Sequence, residues 1–179
     1  MHEFVGRKDT VLVKALKDEG AIAFCRSNIP QYVFVGHTEN EIFGRAKNPY
    51  DEIRTSGGSS GGEGTLVSSK CSPFGLGSDI GGSIRAPAAT CGVVGFKGTP
   101  QRGSIAGAMM PIEGFSSHMN PIKCALGPIC KTVKDVKTFC EIAYSNRVYN
   151  LDTSVPPVPF NQQKYDSMRN KKAIKIGFL

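Results

Sequence analysis

Gly57-Gly58-Ser59-Ser60-Gly61-Gly62-Glu63-Gly64, followed by Ser78-Asp79-Ile80-Gly81-Gly82-Ser83-Ile84-Arg85, is the stretch on which the reading of this chain turns. Each half sets a serine among glycines. Glycine lets a backbone approach another segment or a ligand closely and loses much conformational entropy on folding, so two such sites close together point to one functional centre. In Asp79-Ile80-Gly81-Gly82-Ser83 the paired glycines allow successive N–H groups to turn toward one point, and a helix beginning at Ser83 adds its positive end. Such a nest suits the oxyanion of an acyl-transfer intermediate. A tight strand-to-helix turn without chemistry fits the same spacing, which does not choose between the two.

Working outward, the pattern alternates helix and strand. Asp9-Thr10 offer capping side chains, and Leu12, Ala15 and Leu16 recur at helical spacing until Gly20. Ala21 to Cys25 has the length and composition of a buried strand. Residues 26–58 are mostly irregular, broken by Pro30 and Pro49, with a turn at Asn48-Pro49-Tyr50-Asp51. From Gly61 to Lys70 the small residues suit a short, closely packed helix. Pro73 to Gly77 reads as a strand edge, Ser83 to Thr90 as a further helix, and Val93 to Lys97 as a buried strand. After a stretch rich in glycine, methionine and proline, Val133, Val136, Phe139, Cys140 and Ala143 form the apolar stripe of a helix beginning near Lys131. Ile174 to Leu179 reads as a closing strand. The beat is that of a single α/β domain.

Composition bounds the function. The chain has 179 residues, 40% of them hydrophobic, enough for a core of its own. Its 21 glycines and 11 prolines follow no period, which excludes repeat arrays and collagen. The net charge is +7, but the basic residues are scattered and the only dense run, Lys164 to Lys175, flanks the C-terminus, so no nucleic acid partner is expected. The six cysteines, Cys25, Cys71, Cys91, Cys124, Cys130 and Cys140, show neither Cys-x-x-Cys nor metal-ligand spacing and read as reduced thiols. Residues 1–7 lack the apolar core of a signal peptide, and no eighteen apolar residues run together, so an intracellular chain without a transmembrane segment is expected.

Competing chemistries fail on the residues. No Gly-Lys-Ser/Thr occurs, which removes a Walker loop, and Gly75-x-Gly77 and Gly62-x-Gly64 are followed by Ile80 and Val67 where a dinucleotide fingerprint needs glycine. A Ser-His-Asp hydrolase needs an imidazole, yet His2, His37 and His118 all stand outside any motif. Cys91, in Ala-Ala-Thr-Cys-Gly-Val-Val, reads as a core thiol rather than a nucleophile.

The composite run Gly57 to Gly64, Gly75 to Ala89 and Cys91-Gly92-Val93-Val94-Gly95-Phe96-Lys97 resembles the amidase signature family. Flanking stretches are similar to its fatty-acid amide hydrolase branch: Gly20 to Phe24, Asn28-Ile29-Pro30-Gln31, Phe43-Gly44 with Asn48-Pro49, Gly127-Pro128-Ile129, and Leu151 to Phe160. The resemblance implies an α/β fold with a mixed β-sheet flanked by helices. It makes residues 1–179 a single partial amidase domain, incomplete at both ends, with the signature core at 55–103 and a C-terminal helix and strand at 131–179. It implies a Ser-Ser-Lys triad in which Ser83 is the acylated nucleophile and Ser59, preceded by a cis peptide bond, bridges to the lysine. Ile80, Gly81, Gly82 and Ser83 match the oxyanion-hole donors, and Phe34 and Val33 match positions lining the acyl channel.

A serine hydroxyl needs a base, and a neutral lysine serves if burial lowers its pKa, with Ser59 relaying the proton. The family's lysine lies further upstream of the bridging serine than position 1, so none of Lys8, Lys14, Lys17, Lys47, Lys70 or Lys97 matches it. The expected reaction is hydrolysis of a fatty acyl amide to fatty acid and amine, with no metal or cofactor, incomplete in this chain for want of that lysine. Peripheral membrane association is implied for the full-length parent; the sequence does not give an oligomeric state. A glutaminase subunit of a tRNA-dependent amidotransferase, and a non-catalytic truncated product, are the other readings.

Overall fold

The computed structural model describes residues 8–108, 123–175 and 177. Its central element is a strand that the sequence pattern hides. β5 (Ala125–Cys130) lies between β3 (Phe74–Asp79) and β4 (Val94–Gly95) and pairs antiparallel with both. In the β3 ladder Phe74 faces Cys130 and Asp79 faces Ala125; in the β4 ladder Val94 also faces Cys130. Gly127-Pro128 reads locally as a break, because proline donates nothing to a ladder. Pro128 nonetheless stands opposite Leu76, and its carbonyl accepts the Phe96 N–H at 3.1 Å.

Successive residues of a strand point to opposite faces, and β5 uses both. Cys130 enters a core with Leu12 and Leu16 of α1 (Val11–Asp18) and Val136, Phe139, Cys140 and Ala143 of α4 (Val133–Ala143). Ile129, one position earlier, packs with Val67 of α2 (Gly61–Ser68) and Ile84, just before α3 (Arg85–Thr90). The sheet is thus covered by helices on both faces, the α/β arrangement its alternating pattern implies.

Local chemistry starts α1 and α4 within two residues of where the sequence places them, whereas α3 begins at Arg85 rather than at Ser83. The Thr10 hydroxyl accepts the Val13 N–H at 3.2 Å. At α4, Thr132 accepts the Asp135 N–H while the Asp135 carboxylate accepts the Thr132 N–H, a reciprocal capping box. The irregular stretch 26–58 holds a short turn of the tighter helical kind at Gln31–Val33, a small hairpin, β1 (Glu39–Asn40) with β2 (Gly44–Arg45), and an isolated antiparallel bridge between Lys47 and Thr55. Two further helices, α5 (Asn146–Leu151) and α6 (Gln162–Arg169), follow α4 and carry no strong apolar period.

Three expected strands differ. Ala21 to Cys25 joins no ladder, and Ile22 is 86% exposed, because an apolar run becomes a buried strand only beside a partner and the described residues supply none. The Val93 to Lys97 strand shrinks to Val94–Gly95, half-buried at the sheet's edge. Ile174 and Lys175 are irregular and exposed, and Ile176, Phe178 and Leu179 of that expected strand lie outside the described residues.

Candidate active site

The Ser59 loop runs between the irregular stretch and α2, and the Gly58–Ser59 peptide bond is cis. Residues 56 to 60 are all buried. Thr38 organises this loop from a distance in sequence. Its hydroxyl donates to the carbonyl of Gly57 at 2.9 Å, stands 3.4 Å from that of Ser59, and accepts the Gly61 N–H at 3.0 Å. One side chain thereby satisfies backbone on both sides of Ser59 and one of the open amides at the start of α2. The backbone of residues 35–37 lies over Gly58 so closely that a Cβ there would stand 2.9 Å from the Val35 carbonyl oxygen.

The Ser83 loop leaves the end of β3 and enters α3. Asp79 is fully buried and gathers the loop around its carboxylate. Oδ1 accepts the Gly82 N–H at 2.8 Å, and Oδ2 accepts the amides of Ile84 at 3.1 Å and Arg85 at 3.3 Å. The Arg85 guanidinium closes the pair bidentately at 3.0 and 2.9 Å. Burial opposes ionisation of Asp79, but Arg85 and the three amides together outweigh it and hold the carboxyl below the usual carboxylate range. Gly82 takes a φ of +131°, a conformation open to glycine, which lets the chain wrap this carboxylate.

The two loops meet through the Ser60 N–H, which donates to the Ser83 carbonyl at 3.1 Å. Ser59 is 3% exposed and Ser83 is half-buried. Among the described residues neither hydroxyl has a hydrogen-bond partner, and they do not bond each other. Of the four amides expected to face an oxyanion, that of Gly82 is held by Asp79. Those of Ile80, Gly81 and Ser83 have no acceptor among the described residues.

Phe34 is 62% exposed and Val33 half-buried. Phe34, with Tyr32, Val35 and His37, lines an open cavity of about 630 Å³ that neither serine lines. The connection between them is the 35–37 backbone resting on Gly58. His2 and His118 lie outside the described residues.

No described lysine bonds Ser59 or Ser83. Lys14, Lys17, Lys47 and Lys137 pair with Asp18, Asp9, Glu52 and Glu141, and Lys131 donates to the Ser68 carbonyl at the end of α2. Cys91 is buried, as its setting implies; burial pushes its thiol up, and it sits 3.4 Å from the Ser56 carbonyl. All six cysteines are free. No group of three or more His, Cys, Asp or Glu among the described residues is arranged to hold a metal ion, and no helix among them is long and apolar enough to cross a membrane.

Thr38, Asp79 and Glu63 are the contributors that the sequence pattern does not single out. Glu63 sits in the first turn of α2 and accepts the Ser27 hydroxyl at 2.6 Å; burial pushes its carboxyl up, against the pull of Ser27. Asp79 carries a local signal, an acid three residues before the Gly82 amide it binds. Thr38 carries none, since its partners lie 19 to 23 residues away and only the fold joins them.

The family model described as Amidase matches residues 1–179. The chain is 38% identical over 170 residues to a fatty-acid amide hydrolase 1 of Sus scrofa, a match that covers 95% of this chain and 28% of that protein. It is 42% identical over 142 residues to a glutamyl-tRNA(Gln) amidotransferase subunit of Clostridium acetobutylicum, covering 79% of this chain and 28% of that one. Among solved structures, a fatty acid amide hydrolase superposes with a TM-score of 0.77 at 34% identity, over 86% of this chain and 26% of that chain. The matched stretch spans between 28% and 36% of the length of the curated relatives.

Proposed function

The chain belongs to the amidase family, and on that premise we propose that Ser83 is the nucleophile of a serine amidase acting on fatty acyl amides. The Ser83 Oγ attacks the carbonyl carbon and the new C–O bond forms; its proton passes to the Ser59 Oγ as the Ser59 hydroxyl hands its own proton to the leaving nitrogen. The C–N bond then breaks as the leaving nitrogen takes a proton, giving free amine and an acyl ester on Ser83. Water hydrolyses the ester to fatty acid and returns the proton to Ser83. The amides of Ile80, Gly81 and Ser83 receive the oxyanion, while Asp79 holds the Gly82 amide and with it the turn. Phe34 and Val33 contact the acyl chain.

The observation that carries this reading is the Ser60 N–H to Ser83 carbonyl bond, which brings onto facing loops two serine hydroxyls and three amides that have no partner among the described residues. Because no described lysine stands at either serine, the 179-residue chain hydrolyses an acyl amide slowly or not at all, although Ser83 can still be acylated by a reactive probe.

Relatedness to a component of a glutamyl-tRNA(Gln) amidotransferase favours a second reading, glutamine hydrolysis within a complex. The exposed apolar side chains of Tyr32, Phe34 and Val35 beside the Ser59 loop suit a hydrocarbon better than a polar carboxamide side chain. The test is protection: Ser83 is labelled with a fluorophosphonate in the presence of a long-chain primary fatty amide or of glutamine. Slowing by the fatty amide alone is expected; slowing by glutamine alone transfers the chain to the second reading.

A further inference from the structure

We propose that Asn40 is a positioning residue for acyl recognition, its carboxamide clamping the base of the loop that carries Val33 and Phe34. This rests on the reading of Ser83 as an acylated nucleophile. The loop runs from Ile29 to Asn40, with Pro30 and Thr38 fully buried near its two ends. Between those points Tyr32 has φ +55°, Val33 has φ +57°, and Phe34 is 62% exposed. A left-handed φ at a β-branched residue is strained and persists only where surrounding structure imposes it. The imposing structure is at the two ends of the loop.

At the base, the Asn40 Nδ2 donates to the Ile29 carbonyl at 2.8 Å and to the Asn28 Oδ1 at 2.5 Å. Its Oδ1 accepts the amides of Ile42 at 3.0 Å and Phe43 at 2.8 Å. Both donors and both acceptor sites of one carboxamide are therefore engaged. Asn28 passes the restraint on: its Nδ2 donates to the Gly44 carbonyl at 2.9 Å, and its own carbonyl accepts the Gly62 N–H at 3.2 Å, inside α2. The far end of the loop is fixed by Thr38, which binds the backbone around Ser59. Phe34 is thus held relative to the Ser59 loop by two ties, and Asn40 makes the one that does not touch it.

The separation of these ties gives a selective test. Asn40→Asp keeps the shape and both acceptor contacts but replaces the two donors by an oxygen facing the Ile29 and Asn28 oxygens. Ser83 labelling rates are measured for the wild-type chain and Asn40→Asp with two fluorophosphonates, one bearing a methyl group and one a dodecyl chain. The wild type is expected to prefer the dodecyl probe, since each buried methylene favours association. Asn40→Asp is expected to cut that preference about ten-fold while leaving the methyl probe within roughly two-fold. Phe34→Ala, which leaves the clamp intact, is expected to lose the preference as well.

An unchanged dodecyl preference in Asn40→Asp overturns the proposal, as does an equal loss with both probes, which marks general unfolding. Retention of the preference in Phe34→Ala also overturns it. If neither probe labels the wild type at Ser83, the acyl-serine reading itself fails and the clamp falls with it.

Discussion

The Ser60 amide donates to the Ser83 carbonyl at 3.1 Å, so the turn before α2 and the turn before α3 are joined by main chain rather than by either serine's hydroxyl. A backbone tie of this kind survives substitution of the side chains it positions. Ser59→Ala and Ser83→Ala should therefore leave the fold intact and report on chemistry alone.

Thr38 is fully buried, and its hydroxyl serves Gly57 and Gly61 at once. Thr38→Val keeps the shape and leaves a buried carbonyl and a buried amide without this partner, an expected loss of about 1–3 kcal/mol in urea unfolding. Ser83 labelling should fall with it. Thr38→Ser, which restores the hydroxyl, should recover most of both.

Asp79 ties stability to acid. Its carboxyl lies below the usual range in the folded chain, so the unfolded chain binds more protons between the two values. The stabilisation is complete above the ordinary carboxylate range and is lost as pH falls through the lowered value. Asp79→Asn should unfold more readily at neutral pH and show a shallower decline in melting temperature on acidification. It should also slow Ser83 labelling, because the carboxylate fixes Gly82, Ile84 and Arg85 around the nucleophile.

Glu63 has the opposite sign. Burial raises its carboxyl in the folded chain, so its contribution is present below the unfolded pKa and fades as pH rises through the raised one. Glu63→Gln retains an acceptor for the Ser27 hydroxyl and removes the buried charge. It should melt at an equal or higher temperature than wild type at neutral pH, with no gain in acid. A variant that melts lower at neutral pH would show that the charge itself is needed.

Gly77 in β3 faces α2 so closely that a Cβ would stand 2.7 Å from the Ser60 Oγ and 2.9 Å from the Ile84 Cγ1. Gly77→Ala should cost about 1–3 kcal/mol by overpacking and should disturb both serine loops, since Ser60 and Ile84 adjoin them. Calorimetry and the labelling rate should move together.

Helices α1 to α4 and the two glycine-rich turns are legible in the sequence because their signals are local, whereas α5 and α6, which carry no strong apolar period, are not. Thr10, Thr132 and Asp135 cap within a few residues, and the apolar stripe of α4 repeats along one face. β5 is not, because Gly127-Pro128 looks like punctuation until β3 and β4 are known to flank it. Ala21 to Cys25 misleads in the reverse direction: its composition fits a buried strand, and burial depends on a neighbour that a local window does not contain. At the site, Ser59 and Ser83 stand out in sequence, whereas Thr38 and Asn40 acquire meaning only through partners brought to them by folding.

Acylation of Ser83 is the step on which the functional reading rests, and peptide-resolved mass spectrometry after fluorophosphonate treatment reads it residue by residue. The expected result is one adduct, on Ser83, absent from Ser83→Ala and formed more slowly in Ser59→Ala. An adduct on another residue, undiminished labelling of Ser83→Ala, or no adduct on the wild-type chain would contradict it.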